Sequence, residues 1–426
     1  MARKMKDSGI EWIGEIPEGW SIARGKHILT LLQRAVFPTD GVITCFRDGE
    51  VTLRSNRRED GFTVSLKEIG YQGIEPGDLV VHGMDGFAGS IGISDSRGKS
   101  SPVLVVLDSS QDKKYLMYYL RSMAYNNVFL ALSTGIRVRS CDLKWNKLTD
   151  LLYLVPPIVE QHKLVSFLDE KCSEIDAMLS KTRASIEEYK KLKQAIITQA
   201  VTTGVHGERE MKNSKIEWVG NIPIDWKTIK LKYCTYIRAR LGWKALKADE
   251  YVEIGFPFLS AFNIVNNTLQ FTNLNYINQF RYDESPEIQL SNGDVLLVKD
   301  GAGIGKCAIV ENMPMPSTVN GSIAVVSVTN SLIPKYLYYY FLSKMFQQHI
   351  DLLKDGMGVP HLFQSDLKEI KIAFPSKDEQ KEIADYLDGK CAEIDKLIAK
   401  KEQLVKELEN YKKSLIYEVV TGKREV

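Results

Sequence analysis

The sequence has little excess charge of either sign: its 426 residues contain 56 Lys and Arg against 54 Asp and Glu, a formal net charge of +2. That balance excludes a polybasic tail or an acidic disordered segment, although a local basic surface can still bind nucleic acid. It has no run of about 18 apolar residues and no apolar core behind the basic N-terminus, so neither a membrane span nor an export signal is predicted. The six cysteines are scattered without a C-x-x-C pair, which disfavours a disulfide scaffold or structural zinc and favours a reducing cytoplasm.

Motifs of the common catalytic and nucleotide-binding sites are also lacking. The segment DGAGIGKC at 300–307 matches neither the phosphate-binding loop nor the dinucleotide fingerprint, and we interpret it as a tight turn between two strands. There is no G-x-S-x-G elbow and no H-E-x-x-H, and the histidines show no metal-ligand spacing. The tetrapeptide (Asn/Asp)-Pro-Pro-(Tyr/Phe) of amino-methyltransferases is absent too. The sequence therefore predicts a binding protein with no catalytic residue and no metal ligand of its own.

The chain contains the same module twice. Residues 8–20 read SGIEWIGEIPEGW and residues 214–226 read SKIEWVGNIPIDW, with eight identical positions at a shift of 206. The segment EQHKLVSFLDEKCSEIDAML from Glu160 is matched by EQKEIADYLDGKCAEIDKLI from Glu379 at a shift of 219. Because shorter matches between them keep the same order, we infer a tandem duplication.

Each copy ends in a long amphipathic helix. Its apolar residues form one narrow stripe, and the other faces are Lys, Glu and Asp. A narrow stripe over about 45 residues is typical of a coiled-coil seam, and such a helix would extend roughly 65 Å. The residues predicted to pair the helices are Leu164, Leu168, Ile175, Leu179 and Ile186 in the first helix and Ile383, Leu387, Ile394, Ile398 and Val405 in the second.

Prolines and glycines bound these helices. Pro156-Pro157 and Pro375 precede them, and Gly204 and Gly422 follow them, which predicts helical spacers at 156–205 and 375–426. Pairing the helices would bury both stripes, and a pseudo-two-fold relation between two copies favours the antiparallel arrangement. The alternative is that each helix packs on its own globular domain.

The remaining segments predict two α+β domains, at 1–155 and 206–374. The β-branched runs VLVVLD at 103–108 and IAVVSV at 323–328 are typical of buried strands. The tyrosine-rich segments YLMYYL and YLYYYF indicate short buried helices. The predicted fold class is therefore α+β: two tandem globular domains with a pseudo-two-fold repeat, separated by two long helices that pair as an antiparallel coiled coil.

Basic residues cluster on turn-like segments of both domains. Arg and Lys on loops can hold phosphates, and Arg can read guanine edges, so these clusters indicate nucleic acid. The alternative is ordinary solvated surface charge. The residues in these clusters are Arg54, Arg57, Arg58, Arg137 and Arg139 in the first domain and Arg238, Arg240, Lys244 and Lys247 in the second.

The combination of motifs resembles the specificity subunits of type I restriction–modification systems. The resemblance is carried by EWIGEIPEGW and EWVGNIPIDW opening each half, by VPPIVEQ and FPSKDEQ opening each helix, by LDEKCSEIDAML and LDGKCAEIDKLI within the helices, and by AVTTG and VVTGK closing them. It covers essentially the whole chain. One departure is the single proline of FPSKDEQ, where the family usually has two.

The resemblance implies that each globular domain is a target recognition domain reading one half of a split DNA site. The paired helices would set the gap between the half-sites and dock two modification subunits. Those subunits would carry S-adenosylmethionine and methylate adenine by base flipping, while restriction subunits would use ATP and magnesium to translocate and cleave DNA. This chain would be the non-catalytic, cytoplasmic subunit, with no cofactor of its own.

The family position of several polar residues adds further expected DNA contacts, namely Asn263, Lys299, Lys306, Lys354 and His361. Two other functions remain open at this point. One is a non-catalytic coiled-coil scaffold whose domains bind protein, and the other is a DNA-binding regulator without methyltransferase partners. The DNA sequence recognised cannot be read from these residues.

Overall fold

A computed structural model describes residues 3–57, 68–131, 143–239, 246, 248–353 and 361–426. The chain divides into two compact units. Unit 1 comprises Met1–Arg183 and Gln403–Val426, and unit 2 comprises Ala184–Glu402. Each unit therefore contains one globular part together with a piece of each long helix.

Unit 1 is built on a four-stranded antiparallel sheet in which the strands lie in the order Leu29–Leu31 (β4), Leu104–Ser109 (β11), Leu79–His82 (β8) and Ile91–Ile93 (β9), with smaller strand pairs around it. Strand β11 pairs with strands on both sides, and its first four residues, which are apolar, are buried. The elements of its globular part are β1 Met5–Asp7, β2 Glu15–Pro17, β3 Ser21–Arg24, β4 Leu29–Leu31, β5 Ile43–Cys45, β6 Val51–Leu53, β7 Gln72–Ile74, β8 Leu79–His82, β9 Ile91–Ile93, β10 Gly98–Ser100, β11 Leu104–Ser109, α1 Lys113–Tyr125, α2 Val128–Ala131, α3 Trp145–Asp150 and β12 Leu152–Val155.

Unit 2 repeats this topology with a sheet of order β16-β24-β21-β22. It adds a three-stranded sheet of order β20-β17-β23, in which β17 and β23 are parallel. Its globular part contains β13 Met211–Asn213, β14 Asn221–Pro223, β15 Lys227–Lys230, β16 Thr235–Arg238, β17 Phe256–Leu259, β18 Ile264–Val265, β19 Thr268–Leu269, β20 Asn275–Ile277, α5 Gln279–Asp283, β21 Val295–Val298, β22 Cys307–Ile309, β23 Thr318–Val319, β24 Ile323–Val328, α6 Pro334–Leu342, α7 Lys344–Leu353, α8 Gln364–Glu369 and β25 Lys371–Phe374.

The sequence predictions for these elements are confirmed. The two β-branched runs form β11 and β24, the central strands of equivalent sheets, and the tyrosine-rich segments lie in α1 and α6. The segment around 300–307 connects the antiparallel strands β21 and β22. Asp112 is the N-cap of α1. Its carboxylate accepts hydrogen bonds from the amides of Lys114 and Tyr115, because the first amides of a helix have no carbonyl partner within the helix.

The two long helices are α4, Ile158–Thr203, and α9, Lys377–Val420. Both end at a glycine with positive φ, Gly204 and Gly422, a conformation that an L side chain rarely adopts. Inside each unit the two helices run antiparallel. In unit 1 the early α4 residue Asp176 pairs with the late α9 residue Lys412 at 2.7 Å, and in unit 2 Lys193 pairs with Asp395 at 2.6 Å.

Buried apolar side chains form the seam between these helices. In unit 1 one core contains Leu164, Leu168, Ile175 and Leu179, together with Leu415 of α9. In unit 2 the seam residues of the two helices that share one core are Ile197, Ala200, Val201, Ile383, Leu387 and Cys391. Ile186 and Ile394 are buried as well, whereas Ile398 and Val405 are half-buried.

Each long helix also packs on the globular part that precedes it, so the two arrangements considered from the sequence occur together. The hydroxyl of Tyr118 in α1 donates to Asp169 of α4 at 2.8 Å, and that of Tyr339 in α6 donates to Asp388 of α9 at 2.6 Å. These contacts occupy equivalent positions in the two copies of the module. Each long helix therefore contacts its partner helix through the seam and its own globular part through a separate polar residue.

Cys45, Cys172, Cys234, Cys307 and Cys391 are buried free thiols. Among the described residues, no helix is apolar and long enough to cross a membrane, and no group of three His, Cys, Asp or Glu side chains is placed to hold a metal ion.

Candidate nucleic-acid interface

Four loop segments of unit 2 meet at the ends of its central strands, and we call them loop end 2: residues 260–263, 299–306, 320–322 and 361–363. The amide of Asn320 donates to the carbonyl of Leu259 at the end of β17 (2.8 Å), and that of Lys299 donates to Ser322 (2.8 Å). The amide of Leu362 in turn donates to the carbonyl of Lys299 at 2.9 Å. Backbone hydrogen bonds thus hold the four segments side by side.

Three of the predicted DNA contacts lie together in loop end 2. Lys299 and His361 both pair with Asp300, the lysine at 2.7 Å, and Asp300 and His361 form a backbone bridge. Lys306 is exposed at the far side of the turn. Gly301 in this turn has a φ of +81° and open space where a Cβ would stand, so a ligand could approach the backbone closely.

Two other predicted contacts of the second domain form hydrogen bonds within the chain. Asn263 is 7% exposed, and its side-chain amide accepts from the Ser260 amide (3.0 Å) and donates to the Thr272 carbonyl (3.3 Å). Arg238 on β16 hydrogen-bonds to Asp294 at 3.0 Å and to Ser327 at 2.7 Å. Both side chains hold the fold around the loops.

Unit 1 has an equivalent set of loops, loop end 1, formed by residues 46–49, 54–57, 82–89 and 143. The amide of Leu143 donates to the carbonyl of Gly83 at 2.9 Å, as Leu362 does to Lys299 in unit 2. Arg47 pairs with Asp85 at 3.1 Å, which connects the first of these loops to the third. The equivalence supports one location for the interface in both units.

Arg57 and Arg54, predicted from the sequence, belong to loop end 1. The guanidinium of Arg57 lies 4.2 Å from the Phe46 ring centroid and pairs with Asp48 (2.6 Å) and Glu50 (3.0 Å). Its hydrogen bond to Asp48 raises the pKa of Arg57, which keeps the charge fixed at any working pH. Arg54 is half-buried, and its Nε lies 3.3 Å from the Thr44 hydroxyl.

The remaining predicted contacts, Arg58, Arg137, Arg139, Arg240, Lys244 and Lys354, lie outside the described residues, as does Lys247.

Several loop-end residues carry no sequence signal that would have identified them. These residues are Arg47 and Met84 in loop end 1 and Phe262 and Phe363 in loop end 2, and all four are exposed. Only the pairing of distant loops places them beside the predicted residues.

His82 provides a test of how loop end 1 is held. Its Nδ1 accepts from the amides of Asp85 (3.0 Å) and Met84 (3.3 Å), which only the neutral ring can do. Burial lowers the pKa of His82 below its ordinary value. Because the unfolded value is about 6.5, the stability that the neutral ring contributes is present above that pH and is lost as pH falls through the folded-state pKa.

We therefore expect His82→Asn to weaken the pH dependence of unit 1. The Asn Oδ1 can accept the same amide hydrogen bonds but does not titrate. The free energy of unfolding, measured by urea denaturation between about pH 5 and about pH 8, should fall less steeply with acid in the variant than in the wild type. Equal slopes would contradict the role assigned to the neutral ring.

Comparison with known proteins adds independent information. Residues 223–410 match the model of the type I restriction modification DNA specificity domain. The MjaVIII type I specificity subunit of Methanocaldococcus jannaschii is 26% identical over 77% of this chain and 74% of its own length. The EcoKI type I specificity subunit of Escherichia coli K12 is 19% identical, over 96% of this chain and 90% of its own length.

The fold of this chain is also present in solved structures. One chain from a structure of the type I R-M system, solved to describe complex assembly and conformational transition, matches with a TM-score of 0.73 at 15% identity. The match covers 96% of this chain and 99% of that chain, so the shared fold includes both globular parts and both long helices. The predicted α+β fold class, with two domains and two long helices, is thereby confirmed.

Proposed function

We propose that this chain is the DNA specificity subunit of a type I restriction–modification complex, in which each globular part reads one half of a split DNA site. The observation that carries the proposal is the duplication of one topology, with equivalent loop ends at equivalent strand ends. Two copies of one reading surface suit a site with two separated halves. The similarity of residues 223–410 to a DNA specificity domain supports DNA as the ligand class.

The long helices would set the gap between the halves. At about 1.5 Å per residue, helices of 46 and 44 residues extend roughly 65–70 Å, close to two turns of B-DNA at about 34 Å each. Within each unit, seam packing and a cross-helix ion pair hold the two helices together. A stiff spacer of fixed length would accept one gap and reject others.

The chemistry would reside on partner subunits. Two modification subunits would bind S-adenosylmethionine and methylate adenine, and restriction subunits would use ATP and magnesium to translocate and cleave DNA. All of these would act in the cytoplasm. Co-purification with two modification subunits, followed by mapping of methylated adenines, tests the proposal. A chain that bound DNA but recruited no methyltransferase would instead be a regulator, and one that recruited partners without DNA would be a scaffold.

Lys306 offers a local test of the DNA surface. It is exposed beside the open Gly301 turn, so we expect it to neutralise a phosphate. Lys306→Ala should then reduce the slope of log K against log salt for DNA binding by the assembled complex by about 0.9. Lys400→Ala, an exposed lysine on α9, is the matched control and should leave the slope unchanged. An unaltered slope in the Lys306 variant would argue against this surface.

A further inference from the structure

Loop end 2 presents one side chain with unusual exposure, Phe262. The ring is 92% exposed, although a Phe side chain normally gains about 1.5–3 kcal/mol by being buried. Phe262 directly follows Ala261, which packs against the core under the sheet, and precedes the buried Asn263. An apolar ring that points outward between two anchored neighbours suggests a function in contact with a partner.

The backbone that carries Phe262 is firmly held. Ser260 and Asn263 form a capping box: Ser260 accepts from the Phe262 amide at 3.4 Å, and Asn263 accepts from the Ser260 amide at 3.0 Å. The Asn263 side chain is tied to the Thr272 carbonyl in addition. The ring is therefore presented by a fixed turn, which lowers the entropy lost when it binds.

The surroundings of Phe262 indicate a nucleic acid. A Cβ placed on Gly303 would lie 3.6 Å from the Ala261 Cβ and 3.6 Å from the Lys306 Cδ, so the Phe262 turn is adjacent to the turn with the open glycine and the exposed lysine. The half-exposed ring of Phe363 lies against His361 in the same loop end. An exposed aromatic ring, a cation and accessible backbone amides together suit bases and phosphates better than an apolar protein groove.

We propose that Phe262 inserts its ring between two base pairs of the half-site read by unit 2. Proteins that unstack a base step do so with apolar side chains such as Phe, and the bent duplex then contacts more of the protein surface. Lys306, on the adjacent turn, would hold a neighbouring phosphate. This inference rests on the proposed function, since it requires that unit 2 reads duplex DNA.

The test uses the complex assembled with its modification subunits and a duplex whose split site is taken from methylation mapping. We expect Phe262→Ala to weaken binding of that duplex about 5- to 100-fold, with Phe262→Trp close to the wild type. The matched control is Phe280→Ala. Phe280 is 71% exposed in the same unit but lies on α5, next to Tyr282, which stacks on Phe256 at the start of β17, away from loop end 2.

A second readout separates insertion from a general loss of affinity. With 2-aminopurine placed in turn at each step of the second half-site, binding of the wild-type complex should raise fluorescence at one step, and Phe262→Ala should abolish that rise at saturating protein. If Phe262→Ala left both the DNA affinity and the fluorescence rise unchanged, the inference would be overturned. It would also be overturned if Phe262→Ala prevented assembly of the complex, or if Phe280→Ala lowered the DNA affinity as much as Phe262→Ala does. If the wild-type complex itself bound no DNA, the proposed function would fail, and that result is distinct from each of these.

Discussion

Replacing Leu168 by alanine should lower the free energy of unfolding of unit 1 by about 2–5 kcal/mol. Leu168 has no exposed surface and belongs to the core that joins α1, α4 and the end of α9. Truncation removes buried methyl groups and leaves a cavity that three packed elements cannot close without moving. For a unit of this size, each kcal/mol corresponds to a decrease of roughly 2–4 °C in melting temperature.

Calorimetry of the full chain measures this effect. Met178→Ala is the matched control, because Met178 lies on the same helix in the same unit and is 52% exposed. It should change stability by less than about 0.5 kcal/mol. Equal, small effects of the two variants would show that the α4 seam is not part of the core of unit 1. If the Leu168→Ala variant lost DNA methylation at temperatures below its melting temperature, the loss would come from a changed spacer rather than from unfolding.

Much of this architecture was predictable because its signals are periodic or repeated. The apolar stripes, one from Leu164 to Ile186 and one from Ile383 to Val405, predicted the two long helices. The repeated EWIGEIPEGW motif indicated the duplication. Pseudo-symmetry favoured the antiparallel pairing that each unit shows. The sequence could not show that Tyr118 and Tyr339 fasten each globular part to the spacer, since both pairings join segments about 50 residues apart.

The candidate interface was less predictable, and the reason is physical. A basic residue on a turn looks the same in sequence whether it faces DNA or completes the fold. Arg238 and Asn263 hydrogen-bond within unit 2, whereas Lys306 is exposed. Phe262 carried no signal, because a lone Phe in a loop is usually buried. Only the backbone pairings of loop end 2 bring these residues to one surface.

Shortening both long helices by one heptad should shorten the gap in the recognised DNA. Deleting residues 187–193 of α4 and 395–401 of α9 together removes matched segments of unit 2, including the Lys193–Asp395 ion pair. Seven residues preserve the phase of the seam and remove about 10.5 Å from each helix. That length corresponds to about three base pairs at roughly 3.4 Å each.

Deleting only residues 187–193 is the matched control. It leaves α9 about two turns longer than the segment it faces, so the seam can no longer pair along its whole length. We expect that single-helix variant to lose methylation at the original and at the shortened gap. The loop ends remain intact in both variants, so a difference between them reports on the helix pair rather than on DNA reading.

Methylated adenines can be mapped in cells that express the double deletion together with the modification subunits. We expect methylation at sites with both original half-site sequences and a gap shorter by about three base pairs. Methylation that persisted at the original gap, or that appeared at altered half-sites, would contradict the claim that the paired helices set the spacing and the two globular parts read the sequence.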